Sequence, residues 1–203
     1  MNGSLIIFLK APKAGRVKTR LGREVGMGRA AVLFRMMVSS TLAHAQAGAW
    51  RKIIAVDPPG EIYGWRAHWP SVFERMPQAP GDLGARMKAA FDAAPKGPVI
   101  IIGADAPQMR AHHLRAAFKA LGRADAVFGP AHDGGYWLIG LSRRKPAPHL
   151  FQNVRWSSEH ALADTLASLP PDFRVAYAPT LRDIDDAADL KAAGPVLRSK
   201  KRF

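Results

Sequence analysis

Cysteine is absent from the 203 residues, which excludes disulfides, zinc–thiolate centres and cysteine nucleophiles and allows a reducing compartment. Acidic residues are scarce: sixteen Asp and Glu stand against thirty Lys and Arg, a net charge of +14. A surface so short of negative charge suits anionic partners, a nucleotide and a nucleic acid alike. No apolar run comes near the roughly 18 residues that a bilayer-spanning helix needs. The opening Met1-Asn2-Gly3-Ser4 lacks the basic stretch and apolar segment of a secretory signal, so a cytoplasmic protein without a membrane span is expected. No internal repeat or low-complexity tract interrupts the chain. The five tryptophans are scattered, and Trp50, Trp65 and Trp69 read as packing residues rather than a base-stacking platform.

What is present is an alternation of short apolar runs with segments of helical period. Strands are predicted over 5–9, 53–56, 72–76, 98–102, 126–128, 137–141 and 173–178, and helices over 28–48, 61–69, 82–94, 110–121, 157–169 and 187–193. This order is that of an α/β sandwich with a mostly parallel sheet. A hydrophobic content of 48% is ample for one core, so residues 1–195 are expected to form a single domain and 196–203 a mobile basic tail.

The chemistry concentrates in loops after strands. Six of the fourteen residues 10–23 are Lys or Arg and none is acidic. Such a loop repels itself unless it meets an anion, and in open α/β sheets ligands bind past the carboxyl ends of strands. A nucleotide's phosphate chain is the simplest anion of sufficient charge, while a solvated surface loop is the plain alternative. Gly15 with Lys18-Thr19 is not a P-loop, because Val17 stands where that motif needs glycine, and Gly26-Met27-Gly28 lies too far from the first strand to be a dinucleotide fingerprint. Asp105 follows a buried strand and either holds Mg²⁺ or caps the next helix. Asp133-Gly134-Gly135-Tyr136 has the composition of a hairpin turn. Arg182-Asp183-Ile184-Asp185-Asp186 supplies either a helix cap or a second metal carboxylate. Trp156-Ser157-Ser158 precedes a helix whose N-terminus suits an anion. No pair of histidines has metal-ligand spacing on an identifiable face.

These segments carry a family resemblance. Phe8-Leu9-Lys10-Ala11-Pro12-Lys13-Ala14-Gly15-Arg16-Val17-Lys18-Thr19-Arg20-Leu21, Gly81-Asp82-Leu83-Gly84-Ala85-Arg86-Met87, Gly103-Ala104-Asp105-Ala106-Pro107, the run from Gly129 through Asp133-Gly134-Gly135-Tyr136 to Leu141, Trp156-Ser157-Ser158 and Asp183-Ile184-Asp185 resemble, in order, the motifs of DUF2064. This bacterial family of candidate glycosyltransferases is similar to other branches of the GT-A nucleotide-diphospho-sugar transferase superfamily, among them the 2-phospho-lactate and molybdenum-cofactor guanylyltransferases. The chain departs from the pattern at Lys13-Ala14, where Val-Pro is more usual, at Ala106 and at Asp186.

The resemblance implies a GT-A α/β/α sandwich and a transferase that works on a nucleotide with Mg²⁺ or Mn²⁺. On it, Lys10, Ala11, Arg16, Lys18, Arg20, Gly84 and Arg86 are expected to bind the nucleotide, Asp105 and Asp185 the metal, and Asp133, Gly134, Gly135, Tyr136, Trp156 and Ser157 a small-molecule acceptor. Lys18, Arg20, Asp105 and Asp133 are the expected catalytic residues. Nucleotidyl transfer from an NTP to a phosphorylated acceptor, with pyrophosphate release, is the leading expectation, because the basic loop suits a charge-rich leaving group. Glycosyl transfer from an NDP-sugar, with Asp133 as base, is the alternative, and a binding module without turnover is a third. No recognition helix or aromatic-rich sheet motif accompanies the basic residues, so no specific nucleic-acid partner is expected.

Overall fold

In a computed structural model that describes residues 3–64 and 69–193, the apolar runs form one seven-stranded sheet in the order β3-β2-β1-β4-β6-β5-β7. The strands are β1 (Ser4–Lys10), β2 (Arg51–Asp57), β3 (Glu74–Pro77), β4 (Val99–Ile102), β5 (Ala126–Pro130), β6 (Tyr136–Leu141) and β7 (Val175–Tyr177). Only β6 runs antiparallel, pairing with both β4 and β5. The central strands are buried on both faces and therefore read as unbroken runs such as Val99-Ile100-Ile101-Ile102 rather than as alternating ones.

The alternation of side chains still sorts the two cores. Leu5, Ile7 and Leu9 of β1 pack toward α1 (Thr19–Val25), α2 (Met27–Ala45), α4 (Ala111–Ala120) and α6 (Ala187–Ala192). Ile6 points the other way, to α3 (Leu83–Ala93) and α5 (Ala161–Ala167). The result is the expected α/β/α sandwich, with each fully buried Leu or Ile contributing about 1.5–3 kcal/mol.

Three expectations need correction. The basic loop was expected to run through Arg23, but it ends at Lys18 and α1 begins at Thr19; burial of Leu21 and Gly22 against α2 outweighs the charges on the exposed face. The helix expected from 157 starts only at Ala161, because Ser157 has a left-handed φ of 58° and Ser158 Oγ accepts from His160 N at 3.2 Å, a local turn that competes with the helix. Of the helix expected over 61–69, the described residues form a single 3₁₀ turn, Pro59–Glu61, at its start, and 65–68 lie outside the described residues. Trp65 and the basic tail lie outside the described residues, whereas Trp50 and Trp69 are buried as expected. Gly26 serves as the N-cap of α2, in line with its reading as a helix start. Among the described residues, no helix is long and apolar enough to cross a membrane.

Candidate functional site

A cleft of about 710 Å³ opens at the carboxyl ends of β1 and β4. Strand β1 delivers Lys10 to its mouth, and the chain then turns through Gly15 at φ +74° to Lys18, which sits in the left-handed region at φ 46°, ψ 48°. Lys18 stands at the N-cap of α1 but makes no cap hydrogen bond. Its ammonium is instead directed into the cleft, donating to Asp105 Oδ2 at 2.9 Å and to Asp185 Oδ1 at 2.7 Å. The side chain is only 8% exposed. Burial works against its charge, but the two carboxylates outweigh burial and raise its pKa. In return Lys18 holds the Asp105 carboxyl below the usual range against the opposing effect of burial.

A second group of acids adjoins this pair. Asp133, Asp183 and Asp185 each bring one oxygen to within 4.8 Å of the others. Asp133 arrives on the β5–β6 turn, where Gly135 N donates to Asp133 Oδ1 at 2.9 Å. Gly134, at φ +82°, lets this turn press on the backbone of Glu159, since a Cβ there would lie 2.2 Å from the Glu159 carbonyl oxygen. Asp183 and Asp185 flank fully buried Ile184, so the extended chain turns both carboxylates away from the core. The Ile184 N–H donates to the Asp105 carbonyl at 3.3 Å, tying the two acidic segments together. Burial, followed by Asp133, Asp105 and Asp185, pushes the Asp183 carboxyl up to about 6.

The cap reading of the 182–186 run is realised by Asp186, which accepts from Asp189 N at 3.0 Å, while Asp183 and Asp185 face the other acids. The cap reading of Asp105 is overturned, because Arg110 is the N-cap of α4.

Of the other residues singled out from the sequence, Lys10, Arg16, Arg20, Arg86, Tyr136 and Ser157 line the cleft. Lys10, Arg16 and Arg20 are exposed; no carboxylate among the described residues pairs with them. Arg86 is held by Asp57 Oδ1 at 3.3 Å and the Gly81 carbonyl at 2.9 Å. Tyr136 lies with its hydroxyl 3.4 Å from Thr165 Oγ1, and burial raises its pKa. Ala11, Gly84, Asp133, Gly134, Gly135 and Trp156 are not among the lining residues. Ala11 is buried and donates to the Asp57 carbonyl at 2.8 Å. Gly84 lies so close to Phe151 and Trp156 that a Cβ would meet both at 2.8 Å, and the Trp156 ring lies tilted against Phe151 with centroids 5.9 Å apart. These two residues therefore brace α3 against the 155–160 loop.

Residues 41–158 match the model of DUF2064, described as an uncharacterized protein conserved in bacteria. The chain belongs to this family. A candidate nucleotide-diphospho-sugar transferase from Desulfovibrio desulfuricans is 26% identical, with a TM-score of 0.79 and 98% of each chain covered. The 2-C-methyl-D-erythritol 4-phosphate cytidylyltransferase of Thermus thermophilus shares the fold at 17% identity and a TM-score of 0.56, covering 98% of this chain and 100% of its own. Rv0371c of Mycobacterium tuberculosis, solved with manganese, does so at 14% identity and 0.60, with 98% and 100% covered. No curated protein matches the sequence.

The donor set of this DUF2064 chain fits a hard divalent cation. All the candidate ligand atoms are carboxylate oxygens, with no imidazole or thiolate among them, the preference of Mg²⁺ and Mn²⁺. The Asp183 carboxyl is raised by burial first and then by the neighbouring carboxylates, whose negative charge such an ion would relieve. Asp183 was not chosen as a ligand from the sequence, although the Asp-Ile-Asp pattern, with one apolar residue between two acids, carried the signal. Nothing in the sequence marks Asp57 or Gln78, which hold Arg86 in place.

Proposed function

We propose that the protein is a metal-dependent transferase acting on a nucleotide, with nucleotidyl transfer as the leading reaction. The observation that carries this reading is the charge separation of the cleft: Lys10, Arg16 and Arg20, which no carboxylate among the described residues pairs, line one end, and Asp105 and Asp185 on Lys18, with Asp133 and Asp183 next to Asp185, stand at the other. A polyphosphate settles on the basic end, where Arg86 adds a cation already oriented by Asp57. Asp133, Asp183 and Asp185 would hold the divalent ion, which supplies Lewis-acid stabilisation of phosphate charge when bound. Lys18 spans the boundary and fixes Asp105 and Asp185 relative to the phosphates. The names borne by the Desulfovibrio and Thermus proteins support the same chemistry.

Glycosyl transfer from an NDP-sugar is the second reading, favoured by the exposed Asp133 carboxylate beside the cleft, placed to take a proton from an acceptor hydroxyl. A thermal-shift screen of the NTPs and NDP-sugars, with and without Mg²⁺, tests both. Ligand at 100 times its Kd stabilises by about 2.7 kcal/mol. A Mg²⁺-dependent shift is expected for one class, followed by release of pyrophosphate or of nucleoside diphosphate on turnover. No shift with any nucleotide would sink the proposal.

A further inference from the structure

The cleft is basic on one side only. Among the described residues, every cation that lines it, Lys10, Arg16, Lys18, Arg20 and Arg86, comes from the first half of the chain. The described residues lining it beyond α3 include no basic side chain, only Asp105 and Asp185 with neutral companions such as Tyr136 and Ser157. Arg155 and Arg182, near Ser157 and Asp183 in the chain, are already committed. Arg155 gives Nε and Nη2 to Asp164 at 2.8 and 2.9 Å, and its backbone N–H to the same carboxylate at 3.0 Å. Arg182 gives Nη1 to Asp189 Oδ1 at 3.0 Å. Even with Lys18 charged and a divalent ion bound, the carboxylates of Asp105, Asp133, Asp183 and Asp185 leave this half net negative.

In a transfer reaction of this kind the attacking and leaving atoms lie roughly in line on opposite sides of the transferred group. With the leaving phosphates drawn to the basic half, the second substrate approaches over the acidic half. An anionic nucleophile finds repulsion there and no partner. We infer that the cleft accepts one phosphate-bearing substrate and that its second substrate is a phosphate-free molecule, neutral or cationic, that attacks through a hydroxyl or an amine. This rests on the transferase reading above and departs from the phosphorylated acceptor expected from the sequence.

The chemistry of the acidic half agrees. An ionised phosphate needs no base to attack, whereas a hydroxyl or ammonium must give up a proton, and carboxylates are the groups on hand to receive it. The acceptor oxygen or nitrogen forms its new bond to the transferred phosphorus or sugar carbon. The proton passes to a carboxylate, and the leaving pyrophosphate or nucleoside diphosphate takes the electron pair of the broken bond toward Lys10, Arg16 and Arg20.

Calorimetric titration with two probes tests the assignment without knowledge of the base. Mg²⁺-tripolyphosphate fills the basic half, and glycerol 1-phosphate then reports any second phosphate site. The expected result is exclusion: saturating tripolyphosphate raises the apparent Kd of glycerol 1-phosphate by about tenfold or more, or abolishes its binding. Binding of glycerol 1-phosphate to the loaded protein with an unchanged Kd overturns the acceptor assignment and leaves the nucleotide reading standing. Failure of tripolyphosphate to bind at all overturns both.

Discussion

Lys18 holds a left-handed backbone conformation that costs a non-glycine residue about 1–2 kcal/mol, and it does so with its ammonium on Asp105 and Asp185. Backbone strain and ion pairing can be separated by two variants. Lys18→Ala loses the charge and keeps the strain; Lys18→Gly loses both, so it should be about 1 kcal/mol the more stable of the two in urea denaturation. Both should weaken nucleotide binding or turnover by roughly 10²-fold or more if the ammonium meets phosphate, and equal affinity to the parent protein would count against that role. The acids beside it titrate with opposite consequences. Asp183 is raised to about 6 in the folded state from an unfolded value of about 3.9, so the native protein binds the extra proton between those values and stability falls as pH rises through about 4 to 6. Asp105 is lowered by Lys18, so its contribution is present above its unfolded pKa and is lost as pH falls through the folded value. Asp183→Asn should therefore stabilise the metal-free protein at pH 7 and flatten the pH 4–6 slope, whereas Asp105→Asn should destabilise it. Melting temperatures of the two variants across that range would show the crossing signs, and parallel behaviour would contradict them.

At the level of elements, the 155–160 loop is fixed from both sides, by α3 through Gly84 and by the β5–β6 turn through Gly134. A methyl at Gly84 meets the Phe151 Cβ and the Trp156 ring at 2.8 Å, while one at Gly134 meets the Glu159 backbone at 2.2 Å and also has an unfavourable φ of +82°. Gly84→Ala should cost about 1–3 kcal/mol as overpacking does, and Gly134→Ala more, with loss of the Ser157 placement in the cleft; urea denaturation that ranks them the other way would refute the bracing role. These contacts explain why the sequence was legible in some places and not in others. The strands at 53–56, 98–102 and 137–141 were readable because burial on both faces imposes apolar runs. Helix α1 was not, because its seven residues are too few to show a period and its basic face looks like loop. The glycines of the GDLG and DGG segments were visible, but their neighbours were not: Gly84 is small for Trp156, 72 positions later in the chain, a proximity that no local pattern encodes.

For the whole molecule, the charge of +14 was legible at once, but its division within the cleft was not, because pairing depends on which carboxylates the fold brings near each cation. Arg155 and Arg182 look as available in sequence as Arg16 and Arg20, yet Asp164 and Asp189 occupy them. This division also decides between the two anionic partners that the composition suits. Duplex binding releases counterions in proportion to the phosphates contacted, so a protein touching six to ten phosphates loses about 10³ to 10⁵ in affinity between 50 and 200 mM salt. The cleft cations that no described carboxylate pairs are concentrated on the end of β1, the loop after it and the start of α1, and the opposite half presents carboxylates that repel a continuing phosphate backbone. DNA and RNA should therefore bind weakly and lose affinity steeply with salt, while a Mg²⁺–nucleotide complex, which engages fewer charges and gains from the acidic half through its metal, should survive physiological ionic strength. Fluorescence titrations of a labelled duplex, a labelled single strand and a labelled GTP analogue across that salt range measure the difference. Tight, sequence-selective nucleic-acid binding at about 150 mM salt, with no response to any nucleotide, would show that the basic face and not the cleft carries the function.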